Sequence, residues 1–225
     1  MNPPTATSTS KPRRRTQAER RATTRALLLD ATIDCLIDYG YNGVTTTRVV
    51  ERAGVSRGAQ VHHFPTKAIL VSEAMVHLAD RRSADLQRQA EKLPRGKNRP
   101  AAALDLLWAS HRGPLFEAAM ELWVAARTDD ELRERLVPVE LQLARRTWEL
   151  CRVLFGDYAT AKTFPASVEV ALASMQGLAV LALPMREAGE ALTAEGQTLD
   201  QLWRACRKRL LVLFEEPAPA KGERG

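Results

Sequence analysis

The stretch "AGVSRGAQVHHFPTK", residues 53–67, decides how this chain is read. It packs a glycine turn, a capping serine, an arginine, two adjacent histidines and a closing Phe-Pro-Thr-Lys into fifteen residues. Three chemistries could use such a segment: a His-His catalytic pair, a metal site, or a short helix lying against DNA. His62 and His63 are neighbours, so on a helix they point about 100° apart and share one metal ion poorly. No third Cys, His or acidic ligand lies within a turn, against the usual metal-ligand spacings. No Ser-His or Cys-His pair has an orienting carboxylate nearby, so no catalytic residue is expected. No cofactor is expected either.

Working outward, the local signals build a helix-turn-helix. Leu28, Ala31, Thr32, Cys35, Leu36 and Tyr39 recur at three- and four-residue steps and line one helical face. Gly40 suits the C-terminal end of that helix. "YNGVT" reads as a turn, and Thr45 as the N-cap of a second helix to about Arg52. Gly54 breaks the chain, Ser56 caps a third helix of barely two turns, and Pro65 closes it. Thr66 then caps a long fourth helix from Lys67 to about Leu93. Two short helices around a tight glycine turn, behind a longer supporting helix, form the motif that places its second short helix in the major groove.

Charge agrees with that reading. Up to Lys67 there are 11 Lys and Arg against 5 Asp and Glu, while the remainder carries 22 of each sign, so the whole net charge of +6 sits in the first third. A basic block of this kind suits a polyanion such as double-stranded DNA. Arg57 can reach a phosphate or a guanine edge, and free N–H groups at the helix start attract phosphate. Thr45, Thr46 and Ser56 offer hydroxyls at helix starts, and Lys67 is placed to clamp the backbone. With Gly58, Ala59, Gln60, Val61 and His62 these residues make the expected DNA-binding set, whereas His63 is expected to pack beside Phe64.

At this point a resemblance enters. "TTRALLLDATIDCLIDYGYNGVTTTRVVERAGVSRGAQVHHFPTKAIL" resembles the N-terminal DNA-binding domain of TetR-family transcriptional regulators, at the family's intervals over about 50 residues. The resemblance implies a homodimer of nine or more helices per subunit, a palindromic operator read by the first three, and a C-terminal domain that binds an inducer and pairs the subunits. Two positions depart from the family pattern: Gln60 stands where an apolar residue is frequent, and Val61 where a phosphate-touching tyrosine is usual. Either a small helix rotation lets Gln60 face the groove and pair with adenine, or Val61 meets a thymine methyl and Gln60 tucks its amide against the body. The first is favoured, because an unpaired buried amide costs about 1–3 kcal/mol.

The remaining chain reads as helices broken by "PRGKNRP" (94–100), Gly113-Pro114, Thr128-Asp129, Gly156, Pro165, the stretch from Gly189 to Gly196, and Pro217. Strand signals are nearly absent. The fold class expected is all-α: a basic arm over 1–16, a helix-turn-helix domain over 17–66, a helical effector-binding and dimerisation domain over 67–216, and a tail over 217–225. Both ends read as disordered from composition. The chain lacks a secretory signal, and "LAVLAL" (178–183) is too short to span a membrane, so no membrane partner is expected and the protein is placed in the cytoplasm. Cys35, Cys151 and Cys206 form no metal or disulfide pattern and read as core residues.

Large adaptable side chains bunch in this second part: Leu107, Trp108, His111, Leu115, Phe116, Met120 and Trp123, then Trp148, Met175 and Met185. They suit a helical core and equally a cavity for a small hydrophobic effector, with His111 and Arg127 as its polar minority. The "GAQVHHFPTK" variant is similar to actinobacterial TetR-family members associated with lipid or alkane metabolism, which implies a fatty acyl compound or hydrocarbon as effector. Two late helices carry dimer-interface candidates: Ala171, Ser174 and Gly177 on one, Leu202, Cys206, Leu210 and Leu213 on the other. The function expected is a ligand-responsive repressor. The alternatives are a cysteine-based redox-sensing regulator and a helical-bundle lipid carrier or enzyme whose basic arm is incidental.

Overall fold

The computed structural model describes residues 16–184 and 191–214 of the 225-residue chain. Among them the fold is all-α, as expected: α1 (Gln17–Gly43), α2 (Thr46–Ala53), α3 (Arg57–His63), α4 (Lys67–Ala90), α5 (Arg99–Ser110), α6 (Pro114–Ala125), α7 (Asp130–Phe155), α8 (Phe164–Ala182) and α9 (Leu199–Val212).

Local chemistry sets most of these boundaries. Thr16 and Glu19 form a reciprocal capping box that starts α1. Thr45, Ser56 and Thr66 each accept the N–H three residues on, at the heads of α2, α3 and α4. Gly54 ends α2 in the left-handed region, at φ 64°. The break foreseen at Gly40 is present inside α1, where φ is 63° and ψ 178°, although the helical trace resumes as far as Gly43. A side chain there meets a second obstacle: the Glu121 carboxylate oxygen lies 2.1 Å from where a Cβ would stand. Pro165 opens α8 rather than breaking a helix, since the first turn needs no N–H from it. The fourth helix stops at Ala90, three residues short of the expected Leu93.

Two apolar cores hold the elements together. The first joins Leu28, Leu29 and Leu36 of α1, Val49 of α2, Phe64, and Leu70, Val71 and Met75 of α4 to Leu122 of α6 and Leu132 and Leu136 of α7. Helices α1 and α2, with Phe64 at the end of α3, thus share one core with α4, α6 and α7. The second joins Leu104, Leu107 and Trp108 of α5, Leu150, Leu154 and Phe155 of α7, Val168 and Met175 of α8, and Trp203 and Leu210 of α9, with Phe214 beyond it.

The apolar character of α8 exceeds what "LAVLAL" alone conveyed. Over its 19 residues it is long and apolar enough by composition to cross a membrane, with a third of that window buried. One face, with Phe164, Val168, Ala171, Met175 and Ala179, is packed into the second core. The other exposes Val170, Val180 and Leu181.

Candidate nucleic-acid interface and effector cavity

Helix α3 divides its residues sharply. Arg57, Gly58, Val61 and His62 are exposed, Ala59 and His63 are half-buried, and Gln60 is only 1% exposed. The favoured sequence reading of Gln60 is thereby corrected. Its Nε2 donates to the Phe64 carbonyl at 2.6 Å, and its Oε1 has no partner among the described residues. Val61, half exposed, takes the outward position. The local bond to Phe64, one turn on, offsets part of the desolvation that had argued against burial.

His63 sits 6.1 Å from the Phe64 ring, as a packing residue should. Burial, then His62, Arg21 and Arg25, hold its pKa below the ordinary value, so it stays neutral at physiological pH. Thr45 and Ser56 remain exposed, Thr46 half-buried; the first two already accept cap hydrogen bonds, but each hydroxyl keeps its proton to donate. Arg48, exposed on α2 and stacked over the Tyr39 ring at 4.7 Å, is a cation on the same unit that the sequence reading passed over.

Lys67 is half-buried: its Nζ donates to the Tyr41 carbonyl at 2.7 Å and stands 4.0 Å from the Tyr41 ring centre, which leaves further N–H donors on the ammonium for a phosphate. It belongs to a corner that ties the reading unit to the body. The Tyr41 N–H donates to Glu121 at 2.8 Å and its hydroxyl to Asp129 at 2.9 Å. Burial first, then the bond to Asp129, push the Tyr41 phenol up to about 12. Asp129 also caps α7 by accepting the Leu132 N–H, which with the tyrosine bond holds its carboxyl below the usual range.

In the body, a cavity of about 660 Å³ opens between α4, α5, α6, α7 and α8. Of the expected effector residues it brings together Leu107, His111, Phe116, Met120, Trp123 and Trp148. Three others fall elsewhere. Trp108 stacks on Trp203 at 4.8 Å and Met175 is fully buried, both in the second core. Arg127 is exposed and outside the lining. Met185 lies outside the described residues, and of Leu115 only the backbone is described.

The sequence reading missed the α4 wall, formed by Met75, Ala79, Arg82 and Leu86, and Glu140 of α7. A signal existed: Arg82 interrupts the apolar stripe of α4, and Glu140 that of α7 between Leu136 and Leu143. Glu140 accepts the Trp123 indole N–H at 2.6 Å, and burial raises its pKa against that bond. His111 holds its Nδ1 2.9 Å from the Leu107 carbonyl, which assigns the ring proton to Nδ1. Burial dominates its pKa and lowers it, the Leu107 bond opposes that, and nearby Arg82 lowers it further.

The dimer candidates divide as well. Gly177 and Leu213 are exposed, and Ser174, Leu202 and Cys206 half-buried. Ala171 and Leu210 are corrected to the subunit's own core, at 1% and 4% exposure. Cys35 and Cys151 are fully buried, and burial pushes the Cys151 thiol up to about 12. Among the described residues no three His, Cys, Asp or Glu side chains converge on a metal position.

An exposed short helix set on a capped partner helix, above a helical body with a large internal cavity, defines a DNA-binding regulator of the helix-turn-helix class. Residues 28–74 match the family described as bacterial regulatory proteins, tetR family. An uncharacterized HTH-type transcriptional regulator of Mycobacterium tuberculosis is 33% identical over 179 residues, covering 78% of this chain and 92% of that one. The chain belongs to the TetR family of transcriptional regulators. A transcriptional regulator from Rhodococcus sp. Rha1 shares the fold at TM-score 0.59 and 22% identity, over 87% of this chain and 98% of that one. FadR from Bacillus subtilis, solved in complex with stearoyl-CoA, does so at TM-score 0.60 and 11% identity, over 83% and 97%.

Proposed function

We propose that this protein is a dimeric, ligand-responsive repressor that binds a palindromic operator and leaves it when a small hydrophobic effector enters the cavity. The observation that carries this reading is the double role of α4. Its first turns, with Leu70 and Val71, pack in the core that holds the reading helices, and its middle, from Met75 to Leu86, walls the cavity. Anything that moves this wall moves the reading unit with it. Dimeric half-sites one turn apart require the two α3 helices about 34 Å apart, so a small tilt of each unit defeats binding. An effector that prefers the wrongly spaced state by a few kcal/mol empties the operator.

Dimerisation is supported by α8, which is apolar on both faces although only one is covered within the subunit. Exposed Val170, Gly177, Val180 and Leu181 offer α8 a second packing surface, with Val212 and Leu213 at the end of α9. An apolar body for the effector follows from Phe116, Met120, Trp123 and Trp148 in the lining. A fatty acyl compound fits these walls, and FadR, of the same fold, was solved in complex with stearoyl-CoA.

The test is fluorescence anisotropy with DNA from immediately upstream of the protein's own gene, against scrambled DNA, at two salt concentrations. Specific binding that weakens with salt, runs at two chains per site and is lost in Arg57→Ala is the expected result. Equal weak binding to both DNAs, repeated with fragments selected genome-wide, would refute it.

A further inference from the structure

The cavity's polar groups differ in how they are partnered, and that difference reads out the ligand's charge. On α4 and around it, cations are matched: Arg81 pairs with Asp30 at 2.7 Å, Arg88 with Asp85, and Arg146 with Asp80. Two cations of the lining have no carboxylate partner among the described residues: Arg145, which is exposed, and Arg82, which is half-buried and donates to the Ser110 carbonyl at 3.0 Å. Asp80 and Asp85 are committed to the pairs above and Glu140 to the Trp123 indole, while Glu169, also in the lining, is exposed to solvent. Beside Arg82, His111 spends its Nδ1 on Leu107 and leaves Nε2 without a partner among the described residues. Both groups sit where an apolar wall begins, at Phe116 and Met120.

We infer that the cavity takes an amphiphile with a single ionised carboxylate, its head bound by the Arg82 guanidinium beside His111 and its apolar body laid along Phe116, Met120, Trp123 and Trp148. This rests on the effector-cavity reading above and narrows it, setting aside hydrocarbons, neutral drugs and cations. The chemistry is direct. A guanidinium out of water retains its charge at a cost unless an anion meets it, and its planar fork matches the two oxygens of a carboxylate. The only influence that moves the Arg82 pKa is burial, which lowers it, so no protein anion already offsets the charge. Two acids of the lining could instead favour a cation: Glu140 on α7, whose pKa burial raises and which the indole occupies, and Glu169 on α8, which is exposed and so screened by water.

Decanoate, decanamide and decyltrimethylammonium, titrated at pH 7.5 against the full chain, separate the possibilities through the fluorescence of Trp123 and Trp148. Decanoate should bind at least tenfold more tightly than the near-isosteric decanamide. In Arg82→Gln, decanoate should lose tenfold or more while decanamide binds as before. The wild-type comparison stands even where that variant fails to fold. Equal affinity for acid and amide, or a preference that survives Arg82→Gln, overturns the carboxylate assignment and leaves the cavity reading intact. Tightest binding of the ammonium probe overturns it too and moves the polar pole to Glu140. No binding by any of the three overturns both readings together.

Discussion

Gln60→Met tests the corrected geometry of α3 most sharply, because the two placements of residue 60 demand opposite results. In the structure Gln60 is 1% exposed, its Nε2 bound to the Phe64 carbonyl and its Oε1 unpaired. Methionine of similar length removes the unpaired Oε1 but leaves the Phe64 oxygen without its donor. Each unpaired buried carbonyl costs about 1–3 kcal/mol, so one replaces the other and the net change in stability lies within about 1 kcal/mol. Operator affinity should not change, since the side chain does not reach solvent. A glutamine reading adenine would behave otherwise: its loss would cost about 1–3 kcal/mol of binding, a drop of about 5- to 150-fold. The assay is paired, urea unfolding for stability and anisotropy on operator fragments selected by the wild-type protein. A Gln60→Met protein as stable as wild type yet more than about fivefold weaker on DNA would refute the burial of Gln60. Val61→Ala, in the exposed neighbour, should also leave stability nearly unchanged but relax base preference at one operator position.

Gly40→Ala should destabilise the protein by about 1–3 kcal/mol from the extended positive-φ backbone alone, and by more because the Glu121 carboxylate must leave its place beside the Tyr41 N–H; a urea midpoint equal to wild type would contradict this. The buried His111 has a folded pKa below the ordinary 6.5, so as pH falls the unfolded chain takes the proton first and stability is lost below about pH 6.5. His63 adds to that loss with the same sign, whereas the raised pKa of Glu140 makes stability fall as pH rises above the ordinary 4.5. Unfolding midpoints at pH 7.5 and 5.5 should therefore differ less in His111→Gln than in wild type. Among the thiols, Ellman's reagent on native protein should modify only the half-exposed Cys206, and slowly, since burial raises all three thiol pKa values. A DNA-binding response to oxidant that disappears when the three cysteines become serine would instead favour the redox-sensing alternative.

What could be read from sequence was what local chemistry dictates. Thr45, Ser56 and Thr66 announce helix starts through one side-chain bond each, and Gly40 and Gly54 announce turns through a backbone angle, so the reading unit was legible almost residue by residue. Gln60 was not, because its burial depends on a rotation of α3 that only packing against the body fixes. The second role of Lys67 was hidden for a related reason: its partner, Tyr41, lies 26 residues away, and a cation at a helix start looks the same whether or not it also bonds a carbonyl. In the body, Trp108 and Trp123 share a residue type but part company in space, one stacked in the core and one on the cavity wall. Composition finds such residues; only tertiary placement tells lining from core.

The size of the cavity bears on why its walls look as they do. If a space of about 660 Å³ were sealed and empty, the packing lost at about 24 cal/mol per Å³ would approach 16 kcal/mol, above the about 5–15 kcal/mol that holds a typical protein folded. The cavity is therefore open to solvent or filled. Water fills it badly along Phe116, Met120 and Trp123, whose indole N–H is already bound to Glu140, and leaves Arg82 without an anion. One amphiphilic guest removes both costs at once. Bound at 100 times its dissociation constant, such a guest stabilises the protein by about 2.7 kcal/mol. Part of that free energy is expressed wherever the filled cavity and the DNA-ready fold disagree on the position of α4. Between them stands the Tyr41 corner, held by Lys67, Glu121 and Asp129 from three different elements of the chain. A displaced α4 wall drags Lys67 with it, while Glu121 and Asp129 hold Tyr41 to the body. In the repressor proposed above, the reading unit would thus be pivoted at one end and pulled at the other, turning a change of volume inside the body into a change of angle at the DNA.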